Sequence, residues 1–149
     1  MFSQKDIKLN FKKMKKIFSK SKPNQLLHLL IKKADIHERN NIIPEENFLQ
    51  LATISLKKNQ TFKAHKHIWR SISYNKVIAQ ESWVVVQGSV KVDYYDTDGD
   101  YIESCILNKG DCTVTLFGGH NYTALDDDTL VYEFKTGPYE GIEKDKEFI

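Results

Sequence analysis

The sequence predicts an all-β, single-domain protein: a sandwich or barrel of short antiparallel strands. Three observations carry that reading. From residue 46 onward, short strand-like runs follow one another at close, even spacing. Turn signals separate them, and few windows between them carry a helical period. The connections are also too short for helical crossovers, which leaves antiparallel hairpins. A chain of 149 residues is enough for one substantial core.

The elements are taken in chain order. Residues 1–22 are rich in lysine, and Phe11, Met14, Ile17 and Phe18 recur at helical spacing, so a short amphipathic helix is expected there. "QLLHLLIKKADI" (25–36) reads as an apolar strand or a short helix, after which Asn40, Asn41 and Pro44 break regularity. "FLQLATISL" (48–56) alternates Leu49, Leu51, Thr53 and Ser55 with Phe48, Gln50, Ala52, Ile54 and Leu56, the period of a strand. Lys57-Lys58-Asn59-Gln60 is a polar turn, and "TFKAHKHIW" (61–69) is the next strand. "SWVVVQ", "SVKVDYY", "YIESCIL", "CTVTLF" and "LVYEF" follow. Gln87-Gly88, Asp98-Gly99, Lys109-Gly110-Asp111 and Gly118-Gly119 punctuate them. "YDTDGD" (95–100) fits a hairpin turn better than a calcium loop, which needs alternating acidic ligands and a closing glutamate.

Charge divides the chain. Residues 1–33 hold ten lysines and one aspartate (net +9), and residues 34–149 hold twelve basic and nineteen acidic side chains (net −7). We therefore separate a basic N-terminal segment, 1–33, from an acidic domain, 34–149. A basic leader can mark a nucleic-acid arm or a membrane-surface segment. The body offers no matching basic-aromatic pattern, so neither nucleic acid nor membrane is expected as a partner. No run approaches the ~18–20 apolar residues of a membrane span. The start lacks the apolar core and cleavage site of a secretory signal, so a cytoplasmic protein is expected. Cys105 and Cys112 would sit opposite each other if residues 108–109 were a hairpin tip; in a reducing cytosol they are expected as thiols.

One short stretch raises a chemical question. In "FKAHKHIWR" (62–70), His65 and His67 stand two residues apart, so on a strand both project from one face, about 6–7 Å apart. Two imidazoles so placed can converge on a cation, given further ligands from neighbouring strands. Glu81, opening "ESWVVVQG", and His120, in "FGGHNY", are the candidates.

These residues also carry a family resemblance. "HKH", then Glu81 followed after six residues by Gly88, resembles the first signature of the cupin superfamily. "GDCTVTLFGGH" resembles the second, which opens on Gly-Asp and closes on a histidine. The resemblance covers about 48–137 and implies a jelly-roll β-barrel with His65, His67, Glu81 and His120 binding a divalent metal. Three imidazoles and one carboxylate suit Fe, Mn, Ni or Zn. Two departures are plain: thirteen residues (68–80) stand between the second histidine and the glutamate, and the second signature lacks its proline. "LLHLLIKKADIHERNNIIPEENFLQLA", "VKVDYYDTDGDYIES", "GGHNY" and "YEFKTGPYEGIEKDKEFI" further resemble small WbuC-like cupins, encoded among surface-polysaccharide biosynthesis enzymes. That resemblance implies a sugar or nucleotide-sugar as substrate, the cupin resemblance implies a homodimer, and isomerisation or epimerisation is the leading reaction expected. The same ligands would equally serve an Fe(II)-dependent oxygenase or a non-catalytic sugar-binding cupin.

Remaining residues are assigned more modestly. Tyr122, two residues past His120, and Tyr74, in the insert, are the candidate proton-transfer groups. Lys63, Lys66 and Arg70 could receive a phosphate, and a solvated strand edge explains them too. His28, in an apolar run, is expected to satisfy a backbone carbonyl. The tail "GPYEGIEKDKEFI" is expected to pack on the body or on a partner subunit.

Overall fold

A computed structural model describes residues 14–73 and 77–149. Its strands are β1 (Lys15–Phe18), β2 (Leu26–Ile31), β3 (Asn40–Asn41), β4 (Ala52–Thr53), β5 (Glu81–Gln87), β6 (Ser89–Tyr95), β7 (Tyr101–Asn108), β8 (Cys112–Thr115), β9 (Gly119–Ala124) and β10 (Leu130–Lys135). A 3-10 turn (Lys33–Asp35) and a short helix α1 (Ile142–Asp145) complete the described elements. The strands form a five-stranded sheet, β1-β2-β8-β5-β10, a three-stranded sheet, β7-β6-β9, and the small pair β3-β4. Every pairing is antiparallel, as the short connections require. None of the sheets closes on itself. Among the described residues no helix is long and apolar enough to cross a membrane.

The two larger sheets face each other across one core. Ile17, Leu30 and Val85 from the first meet Val90, Val92, Tyr94 and Leu107 from the β6–β7 hairpin. "SVKVDYY" alternates buried and half-buried residues along β6, the mark of a strand with one face on the core. β2 differs: Leu27 through Ile31 are all buried, because its other face is covered as well. There Leu29, Ile31, Cys112, Val114 and Leu116 pack against Ile42 and Ile43, with Leu49 and Leu51 at the margin. A near-continuous apolar run, here interrupted by His28, is what a strand covered on both faces shows.

Turns lock these strands in register. Gly110 (φ +89°) donates its N–H to Val85 O at 2.7 Å, and Asp111 accepts from the N–H groups of Asn108 and Lys33 and from Lys32 Nζ. At the other end Asp96 accepts from Ser19 Oγ and from the backbone N–H groups of Lys20, Ser21 and Thr97, which fastens the β1–β2 turn to the end of β6.

Three expectations change here. Residues 15–18 form a strand, and residues 1–13, the rest of the expected helix, lie outside the described residues. Ile17 alone of β1 is buried, and the strand pairs along the edge of β2. The run 48–56 keeps only Ala52–Thr53 as strand, and 61–69 forms none, although the turn between them is present with Gln60 N–H bonded to Lys57 O. Cys105 and Cys112 are free thiols but not cross-strand neighbours, since the 108–111 turn passes from one sheet to the other.

Candidate functional site

Strand register assembles the site. His28 pairs with Thr115, Thr115 with Glu81, and Glu81 with Lys135, so one row of polar residues crosses four strands of the larger sheet. Residues directly opposite on paired strands share a face. The next row inward is Leu30, Thr113, Trp83 and Glu133. From the facing sheet, His120 pairs with Tyr94 and Tyr122 with Val92, which sets both on the side occupied by the core.

A continuous chain of contacts results. Glu81 Oε1 lies 3.1 Å from His120 Nε2, and His120 Nδ1 lies 3.0 Å from Thr115 Oγ1. Thr115 Oγ1 is also 3.0 Å from His28 Nδ1, and His28 Nε2 is 3.1 Å from Tyr95 O. The expectation that His28 satisfies a backbone carbonyl holds. Burial pushes its imidazole down to about 4, a neutral ring at ordinary pH. Burial alone would raise the Glu81 carboxyl, but the His120 hydrogen bond and the nearby charges of His120, Lys146 and Lys135 outweigh it and hold it below its ordinary value.

Aromatic rings wall the site. Trp83 and Tyr122 stack at 3.8 Å between ring centres, and Trp83 Nε1–H donates to Glu133 Oε2 at 3.0 Å. The Tyr122 ring lies 4.8 Å from that of His120. Its hydroxyl is buried and finds no hydrogen-bond partner among the described residues. Burial, with the Glu81 charge second, pushes this phenol well above its ordinary value, so it keeps its proton. A cavity of about 590 Å³ lies elsewhere, lined by Phe48, Ile78, Phe117, Thr136, Pro138 and Lys144, and holds none of these residues.

The four candidate ligands fall into two pairs. Glu81 and His120 meet between the sheets. His65 and His67 lie on the exposed, non-strand stretch after β4, their ring centres 5.6 Å apart and edge to face. His65 Nδ1 is 3.0 Å from Lys63 O, which can only accept, so its N–H lies there and its Nε2 carries the free lone pair. Among the described residues, no three His, Cys, Asp or Glu side chains gather as a metal group. Tyr74 lies outside the described residues, and Lys63, Lys66 and Arg70 are exposed.

Sequence reasoning missed Thr115, Trp83 and Lys135. "CTVTLF" alternates Thr113 and Thr115 against Val114, a visible signal, but only pairing with "ESW" places Thr115 opposite Glu81. Comparison with protein-family models, with curated proteins and with solved structures returns no match.

Proposed function

We propose that this chain is a metal-binding cupin, closed into a jelly-roll barrel by residues 48–69, that isomerises or epimerises a sugar or nucleotide-sugar. The single observation that carries the reading is the Glu81–His120 pair, a carboxylate oxygen and an imidazole nitrogen 3.1 Å apart between two sheets. Such a pair offers two hard or borderline donors to one divalent ion. Two of the four edges of the larger sheets support closure. β9 and β10 are terminal strands of their sheets, and β10 exposes Leu130, Tyr132 and Phe134 at alternate positions. An apolar, unpaired edge is a liability that proteins cover. The stretch 54–73 exposes its own apolar residues, Phe62, Ile68 and Trp69 among them. Laid as a strand along β9, it would turn His65 and His67 to the face that carries His120.

In this reading His65, His67, Glu81 and His120 hold the ion, which supplies Lewis-acid polarisation of a substrate carbonyl when bound. Tyr122, protonated and without a hydrogen-bond partner among the described residues, donates a hydrogen bond or a proton to the substrate oxygen. Trp83 and Tyr122 give an apolar wall for one face of a sugar ring. Lys63, on the strand face of His65 and His67, receives a phosphate. The sugar itself rests on the resemblance to cupins of polysaccharide biosynthesis, as does a homodimeric assembly.

The experiment is solvent exchange. Purified protein, with its metal content measured, is incubated in deuterated water with nucleoside-diphosphate keto-sugars. The reading expects deuterium at carbon next to the carbonyl and no oxygen uptake. Oxygen consumption would instead indicate the oxygenase, and saturable binding without exchange a sugar-binding module.

A further inference from the structure

We propose that residues 146–149 are a strap across the mouth of the Glu81–His120 site, fixed at its Asp145 end and lifting at its Ile149 end to admit ligand. The proposal rests on the reading of the gap between the sheets as a ligand site and adds what guards its entrance.

Two anchor points define the strap, and each adjoins one member of the pair. Lys135 on β10 is the cross-strand partner of Glu81, and its Nζ lies 3.2 Å from Asp145 Oδ2 at the end of α1. Gly119, the first residue of β9, precedes His120, and Ile149 is seated on it. A Cβ at Gly119 would lie 2.3 Å from Ile149 Cδ1, and one at Gly99, in the β6–β7 turn, would lie 3.1 Å from Ile149 Cγ2. The chain therefore passes from an edge strand of the larger sheet to an edge strand of the smaller one. Lys146 leaves α1 in extended conformation, at φ −147° and ψ 156°. Four extended residues cover about 13 Å, and packed sheets stand about 10 Å apart, so the strap has the length to cross the gap with little to spare. Lys146 also brings its ammonium near enough to act on the Glu81 carboxylate.

The two ends are held unequally. The Lys135 and Asp145 side chains are only 21% and 13% exposed. Lys135 also lies 4.2 Å from the centre of the Tyr139 ring, so the chain on both sides of residues 140–144 is tied to β10. Phe148 and Ile149, by contrast, are 83% and 71% exposed, and the seat on Gly119 holds little apolar area. The Ile149 end is the one that opens. Gly119 does not have a left-handed φ, so its backbone makes no demand for glycine; what glycine supplies there is the missing Cβ, which is the room Ile149 occupies. The seat falls on the first residue of β9, ahead of positions 120–124, along which residues 61–69 would lie.

Acrylamide quenching of Trp83 fluorescence, in the full-length chain carrying Trp69→Phe, tests the strap. Trp83 is half-buried in the gap against Tyr122, and acrylamide is a small neutral probe of access to its ring. Gly119→Ala puts a Cβ where Ile149 Cδ1 lies, so the strap should lift and the quenching constant rise by up to about fourfold, the worth of one methyl contact. Ile149→Val in that same chain removes Cδ1 and should return quenching to its starting level. Ile149→Ser alone, a change at an exposed side chain, should raise quenching as Gly119→Ala does, and the two together should raise it no further than either. Unchanged quenching in both single variants overturns the proposal. A rise in Gly119→Ala that Ile149→Val fails to reverse also overturns it. The expected pattern in a chain that takes up no Co²⁺ would uphold the strap and sink the metal reading.

Discussion

His28 is completely buried, with leucines before and after it, and its neutrality has a measurable consequence. Its folded value of about 4 lies below the ordinary 6.5. Between those values the unfolded chain binds a proton that the folded chain refuses, so stability rises with pH across the window and is lost on acidification from about 6.5 to 4. The full shift corresponds to about 3 kcal/mol. Asp96 acts in the same direction: burial would raise its carboxyl, but Ser19 and the N–H groups of Thr97, Ser21 and Lys20 hold it far below the usual range, so its contribution also fades in acid. Urea midpoints measured from pH 7 to pH 4 should fall throughout. His28→Gln, which keeps a donor for Tyr95 O, should fall less steeply; an identical slope would remove His28 from the account.

Gly118 is the second residue-scale case. An alanine there would be placed at a φ that L residues rarely adopt and against both Tyr95 O and the His28 ring. Gly118→Ala should cost about 2 kcal/mol or more, readable as a lower urea midpoint. The site residues were legible unevenly at this scale. His65, His67, Glu81 and His120 were singled out because they fall at positions of a motif, and of the four the structure brings Glu81 and His120 together. Thr115 was not, because a threonine on a strand has no chemical signature until its cross-strand neighbours are known. His28 was placed against a carbonyl from its apolar flanks alone, but its second contact, to Thr115, joins residues far apart in the chain.

Among the elements, turns proved the most legible. Gly88, Gly99, Gly110 and Gly118 all adopt positive φ at the positions where strand runs were separated. β1 was misread because Phe11, Met14, Ile17 and Phe18 fit a helical stripe, whereas an unpaired edge on β2 draws Lys15–Phe18 into a ladder. Such a pairing is set by tertiary context that a local period does not contain. The runs 48–56 and 61–69 have strand periods, yet β4 is two residues long and the second run has no ladder. If 61–69 closes along β9 when a metal is held, its backbone amides should gain protection. Amide hydrogen exchange across 61–69 should slow at least about tenfold on adding a divalent ion to metal-free protein, while β2 and β8 stay unchanged. Equal exchange with and without metal would contradict closure by this segment.

For the molecule as a whole, composition and punctuation were enough to read a mostly β domain, and two facing antiparallel sheets bear that out. The barrel closure that the resemblance implied does not appear, as none of the sheets closes on itself, and strand order was not legible because it depends on which edges meet. Charge marked residues 1–33 as distinct, yet β1 and β2 from that stretch belong to the larger sheet and supply Ile17, Leu29, Leu30 and Ile31 to its cores. Lysines can flank a buried strand because their heads reach solvent along the edge, as Lys15 does toward Glu103.

The central claim is that two residue pairs, His65–His67 on the stretch after β4 and Glu81–His120 between the sheets, form a single metal site. Titration of metal-free protein with Co²⁺, followed by its visible absorption, tests it most directly. The account predicts one equivalent per chain, lost or greatly weakened in both His67→Ala and His120→Ala. A His67→Ala protein that binds Co²⁺ as the native chain does, while His120→Ala does not, would contradict it.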